Sequence, residues 1–363
     1  RGFNIIAVEG DWADVSTIDF FVRGSGSGAE HSPMYKGRPF SVFPEWMWRN
    51  HSVVNFTRWL KDYNQSVDAE DSVGFYGLDL YNLYGSIELV LDYLREVNPK
   101  LAEFAYWSYG CLMPWADDPG DYGRALKSGR YRSCEDDVFV VAQEYYRNRD
   151  FYRSVDIQRS FHIEQNIRLI INGERYFRTL GDDDTDTWNQ RDKNMFDTLQ
   201  ALLDFHGENA KALVWAQNIH VGDSRATDMK EDGEINLGQR VREAFGDNAY
   251  IIGFGTDHGT VAAAPGWHSP VEIQRIPPAH PDSYEHLFHH VKADNFLLPL
   301  RNPIQAEIRE KLKPERLERA IGVAYDPSNE LKKHYYYGSL PEQFDEYIWF
   351  DESHAVKPLA SKR

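Results

Sequence analysis

The stretch FNIIAVE, residues 3–9, decides the fold class. It is short, rich in apolar and β-branched side chains, and closed by a carboxylate, Glu9. A buried parallel strand reads this way when its last residue reaches the functional end of a sheet. Three later runs have the same form: VGFYGLDL (73–80) ends near Asp79, ALVWA (212–216) runs into Gln217, Asn218, Ile219 and His220, and YIIGFGT (250–256) closes on Thr256. Helical patterns separate them, beginning with WADVSTIDFFVRG, for which Asp11 or Asp14 is the expected start. An aromatic helix, PEWMWRNHSVVNFTRWLKDYN, is expected from Pro44, and a mostly helical block then runs to about Gly207, broken at MPWADDPGDYG. Strands alternating with helices specify the α/β class. The expected architecture is a three-layer core with a mostly parallel sheet, residues 1–95 and 206–363, carrying a large helical insert or cap over 96–205. That block is too long for a single crossover. FDEYIWF (344–350) alternates as an edge strand would, and GSGSG (24–28) reads as a flexible loop.

Composition narrows the function. The 363 residues are 42% hydrophobic, enough to bury a sizeable core. Fifty-seven acidic against 40 basic residues leave a net charge of −17, which repels nucleic acid and anionic membrane faces. No apolar run reaches the ~18 residues of a membrane span. Cytoplasmic is the default compartment. Aromatics make up 14% of the chain; they serve either as core filling or as the wall of a site for a large, partly apolar small molecule. Cys111 and Cys134 show no disulfide framework or metal-ligand spacing, and are expected to be reduced, inert thiols. The chain opens with RGFNIIAVEG, which enters a strand within two residues, and is therefore expected to be an N-terminally truncated form.

Ligands bind open α/β sheets at the carboxyl ends of the strands, so Glu9, Asp79, Gln217 to His220 and Thr256 are candidates for one site. A His beside a Glu forms a pair in which the carboxylate orients the imidazole and raises its basicity for water activation. The alternatives are a structural His220, and carboxylates satisfied by backbone N–H groups or by Arg23 or Arg49. Asp223 with Arg225 reads equally as a loop ion pair. No metal or other cofactor is expected: a set of Glu9, His220 and Asp223 lacks ligand spacing, and the H-x-x-x-H pair His286 and His290 lacks the Glu of a zinc-protease motif. No G-x-S-x-G elbow is present, and GTDHGT (255–260) lacks a phosphate-loop Lys.

These segments resemble the erythromycin esterase family. The resemblance is carried by AVEGDWADV (7–15), FVRG (21–24), FPEWMWRN (43–50), VGFYGLDLYNL (73–83), EQNIRLIINGERYFR (164–178), TWNQRDKNMFDTL (187–199), VWAQNIHVGDSRATDM (214–229), NLGQRVRE (236–243), GFGTDHGTV (253–261) and FDEYIWFDESHAVKPL (344–359), in order along nearly the whole chain. It implies metal-independent hydrolysis of an ester or lactone of a bulky substrate, such as the macrocycle of a macrolide antibiotic. The histidine base lies in a G-E-x-x-H-G-T-like motif upstream of AVEGDW, ahead of residue 1. Carried over by position, Glu9 and His220 are catalytic, and Arg49, Asp79, Arg191, Asp192, Gln217 and Asn218 line the pocket. Some members are attached to a phosphoribosyltransferase-like domain. Two positions depart from the pattern: Gln217 and Asn194 stand where many members have histidine, and an amide cannot take up a proton at neutral pH. The alternatives to turnover are a degenerate ligand-binding protein of the same fold and a metal-dependent hydrolase.

Overall fold

The computed structural model describes residues 2–24, 44–182, 184–302, 304 and 306–360. Ser25–Gly28 of the GSGSG loop and Phe43 lie outside the described residues. The chain forms two compact units, one of Arg1–Pro33 and Thr57–Trp215, the other of Met34–Phe56 and Ala216–Arg363. These divisions differ from the expected borders at 95/96 and 205/206: the helices of 96–205 share a unit with the first sheet.

The first unit begins with β1 (Ile5–Asp11) and α1 (Trp12–Val22); α2 (His51–Gln65) is divided between the units. It continues through β2 (Gly74–Asp79), α3 (Leu83–Val97), α4 (Pro99–Tyr109), α5 (Gly120–Lys127), α6 (Glu135–Arg147), α7 (Arg149–Val155), α8 (Ile157–Thr179), α9 (Asp184–His206) and β3 (Ala212–Trp215). The three strands form a parallel sheet in the order β2-β1-β3, with Ile5 opposite both Gly74 and Ala212. All seven residues of β1 are buried, as its apolar run requires. β3 differs from the core strand that its sequence suggests: among the described residues it ends the sheet, and one of its faces leaves Leu213 47% and Trp215 44% exposed. α1 does start at Trp12, but the Asp11 side chain makes no capping bond.

Tyrosines join the aliphatic side chains of the helical core. Tyr93, Tyr109, Tyr122, Tyr145 and Tyr152 are buried with Leu83, Ile87, Val90 and Ile170, and the Tyr145 and Tyr152 rings stack at 4.5 Å. The expectation of free thiols fails here. Cys111, just beyond α4, and Cys134, at the start of α6, form a disulfide with a Cα–Cα distance of 6.0 Å. The intervening turns and α5 bring the two together, an approach that spacing alone does not reveal.

The second unit contains α10 (Asn218–Val221), α11 (Leu237–Phe245), β4 (Ile252–Ala263), β5 (Glu272–Ile276), α12 (Tyr284–His289), β6 (Asn295–Pro299), α13 (Ala306–Leu312), β7 (Arg316–Arg319), α14 (Glu330–Lys333), β8 (Tyr335–Gly338), α15 (Leu340–Gln343) and β9 (Glu346–Ser353). Its sheet, ordered β5-β4-β9-β6, is mixed: β4 and β9 are parallel, and the outer strands run antiparallel to them. β7 and β8 form a separate antiparallel pair. Two expectations are corrected. β4 continues past Thr256 to Ala263 in this separate sheet, so Thr256 is not a strand end. β9 is central, bonded to β4 and β6, and its Tyr347 and Trp349 bury one face with Tyr284, Phe288 and Phe344. Alternation reports one covered face and is silent about neighbours at the strand's edges.

Candidate functional site

The carboxyl ends of β1 and β2 carry a buried ionic cluster. Gly77 permits it: a Cβ there would lie 2.4 Å from Gly10 O and 2.6 Å from Asp11 O, so only glycine lets β1 press this closely. The register shifts between Val8 and Asp11, setting Asp11 opposite Asp79. Arg191 of α9 joins the strand ends. Its Nη2 donates to Glu9 Oε1 at 2.9 Å and Asp79 Oδ2 at 2.6 Å, and its Nε donates to Asp79 Oδ1 at 3.1 Å. Glu9 is 6% and Asp79 4% exposed, which makes this a buried two-carboxylate, one-cation group. Burial alone would lower the Arg191 pKa, but Asp79, Tyr81 and Glu9 outweigh it and hold the guanidinium well above its ordinary value. The Tyr81 ring lies 5.0 Å from the Arg191 Cζ and completes the enclosure.

Asp11, Asp14, Asn82 and Tyr81 belong to this cluster and were not singled out as site residues by the sequence. Burial, then the charges of Asp79 and Asp14, hold the Asp11 carboxyl well above the usual carboxylate range, against the opposing bond from Asn82 N at 2.9 Å. The Asn82 side chain donates to Asp14 Oδ1 at 3.0 Å and caps α3 by accepting from Gly85 N at 2.8 Å. The strand ends therefore hold a fixed cation, two carboxylates clamped to it, and an acid with enhanced proton affinity. Such a group can stabilise developing charge and hold a proton. The signal lay in the acidic spacing of EGDWAD, which reads equally well as helix-start chemistry.

Asp192, next to Arg191, is fully buried. Asn194 serves the scaffold: its Nδ2 donates to Leu78 O at 2.9 Å, and its Oδ1 accepts from Asn172 Nδ2 at 2.8 Å, tying α9 to β2 and α8.

The other expected residues belong to the second unit. His220 is buried within the single turn of α10, whose first bonds run from His220 N and Val221 N to Gln217 O. Gln217 Nε2 donates to Ile321 O at 3.0 Å; Asn218 Nδ2 donates to Phe254 O at 2.7 Å and its Oδ1 accepts from Phe254 N at 3.1 Å. Ile321 and Phe254 line a cavity of about 460 Å³ together with Thr256, Glu285, Arg319 and Phe350, so the two amides brace its wall. Glu285 Oε1 accepts from Arg319 N at 2.8 Å, and burial raises its pKa. Glu318, also buried, is pushed up to about 8 by burial and then by the charge of Glu285, while its Oε2 accepts from Gln343 Nε2 at 2.8 Å. In RLER, residues 316–319, the flanking charges make Glu318 read as a surface residue.

Asp223 is the loop partner of Arg225, with Oδ1 at 2.9 Å from Nε and Oδ2 at 2.6 Å from Nη2. Glu9 and Asp223 each hold an arginine, which argues against their use as metal ligands. Arg49 pairs with Glu45 at 3.0 Å and donates to Ala360 O at 3.2 Å, bracing the C-terminal segment.

Solved structures share the fold. One described as a succinoglycan biosynthesis protein is 20% identical over 99% of this chain and 82% of its own, with a TM-score of 0.76. A Bacillus cereus protein is 19% identical over 99% and 83%, with a TM-score of 0.76. A mutant of the erythromycin esterase EreC, in its open conformation, is 16% identical over 99% and 85%, with a TM-score of 0.65. At these identities the likeness is one of fold. The sequence profile of the erythromycin esterase family, by contrast, matches residues 1–353. With that match spanning almost every segment that builds the two units, the chain belongs to the erythromycin esterase family.

Proposed function

We propose that the protein hydrolyses an ester or lactone of a bulky small molecule, such as a macrocycle, by metal-independent attack of water. The observation that carries this reading is the Glu9–Arg191–Asp79 cluster, built at the strand ends of a chain that matches the esterase family. In the proposed mechanism the histidine of the family's G-E-x-x-H-G-T-like motif is the base. Glu9, held by Arg191, orients that histidine and balances the imidazolium that forms. His220 acts as a second acid/base or as a donor to the tetrahedral oxyanion. The helices of 96–205 supply the substrate wall as a cap. The proposed setting is cytoplasmic, with a small-molecule substrate and, as in some members of the family, a phosphoribosyltransferase-like domain as partner. The test is hydrolysis of p-nitrophenyl esters and macrolactones by the natural protein. Glu9→Gln and His220→Ala are each expected to lower kcat/KM by about 100-fold or more; unchanged rates in both variants overturn the assignment.

A second reading, ligand binding without turnover, is favoured by one specific observation. The amides at both departing positions are engaged with backbone, Gln217 with Ile321 and Asn194 with Leu78. On this reading macrolactone binding is measurable by calorimetry while hydrolysis stays at background. Efficient turnover by the natural protein refutes it.

A further inference from the structure

We propose that Asp257, His258 and His289 form a binding site for a divalent transition-metal ion of the zinc class. Three elements of the second unit deliver the site: Asp257 and His258 lie on β4, His289 ends α12, and Asp351 on the adjoining β9 forms its rim. Asp257 Oδ2 is 3.0 Å from His258 Nδ1 and 3.7 Å from His289 Nδ1, and His289 Nδ1 is 2.8 Å from Asp351 Oδ1.

Nitrogen and oxygen ligands about 2.0–2.1 Å from a tetrahedral zinc ion stand about 3.3 Å from one another. The two distances within the triad bracket that spacing, and all three donor atoms lie within 4.8 Å of one another. Asp257 hydrogen-bonds His258, while His289, whose Nδ1 hydrogen-bonds Asp351 at 2.8 Å, stands 3.7 Å from Asp257 Oδ2, beyond hydrogen-bond range. The carboxylate is buried and fixed, with its other oxygen, Oδ1, accepting from Ala279 N at 3.1 Å. Two imidazoles and one carboxylate are a borderline-soft donor set, suited to zinc, cobalt or nickel more than to magnesium or calcium. Asp351 adds a second negative charge beside the site, matching a divalent cation. The backbone is shaped for it too. Gly259 has φ +129°, and a Cβ there would lie 2.1 Å from Ser353 O, so β9 can close on β4 just beyond His258. This gives GTDHGT a role as a ligand-bearing turn of strand. Metal binding at His289 Nδ1 places the ring's single proton on Nε2 and frees Asp351 to hydrogen-bond a metal-bound water.

The test is titration of the purified, metal-stripped chain with Zn²⁺ by calorimetry and with Co²⁺ by its visible d–d bands, alongside thermal unfolding. One equivalent per chain, four-coordinate Co²⁺ bands and a raised Tm are expected, with at least a 10-fold loss of affinity in both His258→Ala and His289→Ala. The neighbouring pair His286 and His290, whose rings lie 4.6 Å apart, is the competing chelator. His286→Ala/His290→Ala should leave binding intact. No binding, or binding removed by that double variant and retained in His258→Ala and His289→Ala, overturns the proposal. The His289 side chain is 42% exposed, so its variant preserves the core should changes at Asp257 disturb folding.

Discussion

Replacing Glu318 by Gln should remove a large part of the protein's loss of stability in alkaline solution. Glu318 is buried on β7, its Oε2 faces the Gln343 amide at 2.8 Å, and Glu285 places a second carboxyl nearby. Its folded-state pKa of about 8 stands well above its ordinary 4.5. The folded protein thus binds a proton that the unfolded chain releases. The resulting stabilisation is complete below the ordinary value and is lost as pH rises through about 8. The full span corresponds to about 5 kcal/mol, of which about 4 kcal/mol falls between roughly pH 5 and pH 9. Glutamine preserves the shape and the oxygen that accepts from Gln343, and has no proton to lose. Wild type and Glu318→Gln should be close in stability near pH 5, and the variant should be the more stable by about 4 kcal/mol near pH 9, since every other titration is common to both. Urea unfolding across that range, followed by tryptophan fluorescence, to which the fully buried Trp349 of the same unit contributes, measures the difference directly. Parallel pH profiles for the two proteins would show that Glu318 is ionised in the folded state and refute the reasoning.

Arg191→Met should cost about 3–5 kcal/mol, because Glu9 and Asp79 lose a buried counter-charge; urea denaturation checks it, and a loss under about 1 kcal/mol would mean the carboxylates find water or another cation. Reduction of Cys111–Cys134, which are 23 residues apart, should lower stability by about 3 kcal/mol through the freed chain entropy of the unfolded state. Comparison of melting with and without reductant, controlled by a Cys111→Ala/Cys134→Ala variant, reads that effect. Gly77→Ala should destabilise the first unit by about 1–3 kcal/mol, since its methyl meets the backbone of Gly10 and Asp11 with no flexible side chain to yield. Urea midpoints of the variant and the natural protein measure this, and equal midpoints would mean that the two strands can part at little cost.

Much of the first sheet was legible because β1 is buried on both faces. An uninterrupted IIAV ending in Glu9 is hard to place anywhere but in a buried strand, and GFYGLD repeats the pattern beside it. The family segments likewise contain Glu9, Asp79 and Arg191, though separations of 112 and 182 residues carry no information that one guanidinium reaches both acids. The second sheet was misjudged for a related reason. YIIGFGT has the same composition as a strand of the first sheet, and hydrogen-bond partners are chosen by tertiary packing that local pattern does not encode. Asp11 and Glu318 were missed because a buried acid and a surface acid are spelled alike. The disulfide escaped notice because its cysteines meet only after α5 has been folded between them.

The clamp of Arg191 on two strands also constrains how this site can be inherited. Losing either carboxylate takes away a buried hydrogen-bond acceptor of the guanidinium, and losing the arginine removes the shared counter-charge of two buried acids at once, so each single substitution passes through a destabilised intermediate. Glu9, Asp79 and Arg191 should therefore behave across descendants as one character, retained together or exchanged together for apolar side chains. A lineage that drifts at positions 217 and 194 can alter its chemistry freely by comparison, while the frame on which that chemistry stands changes only by compensated steps.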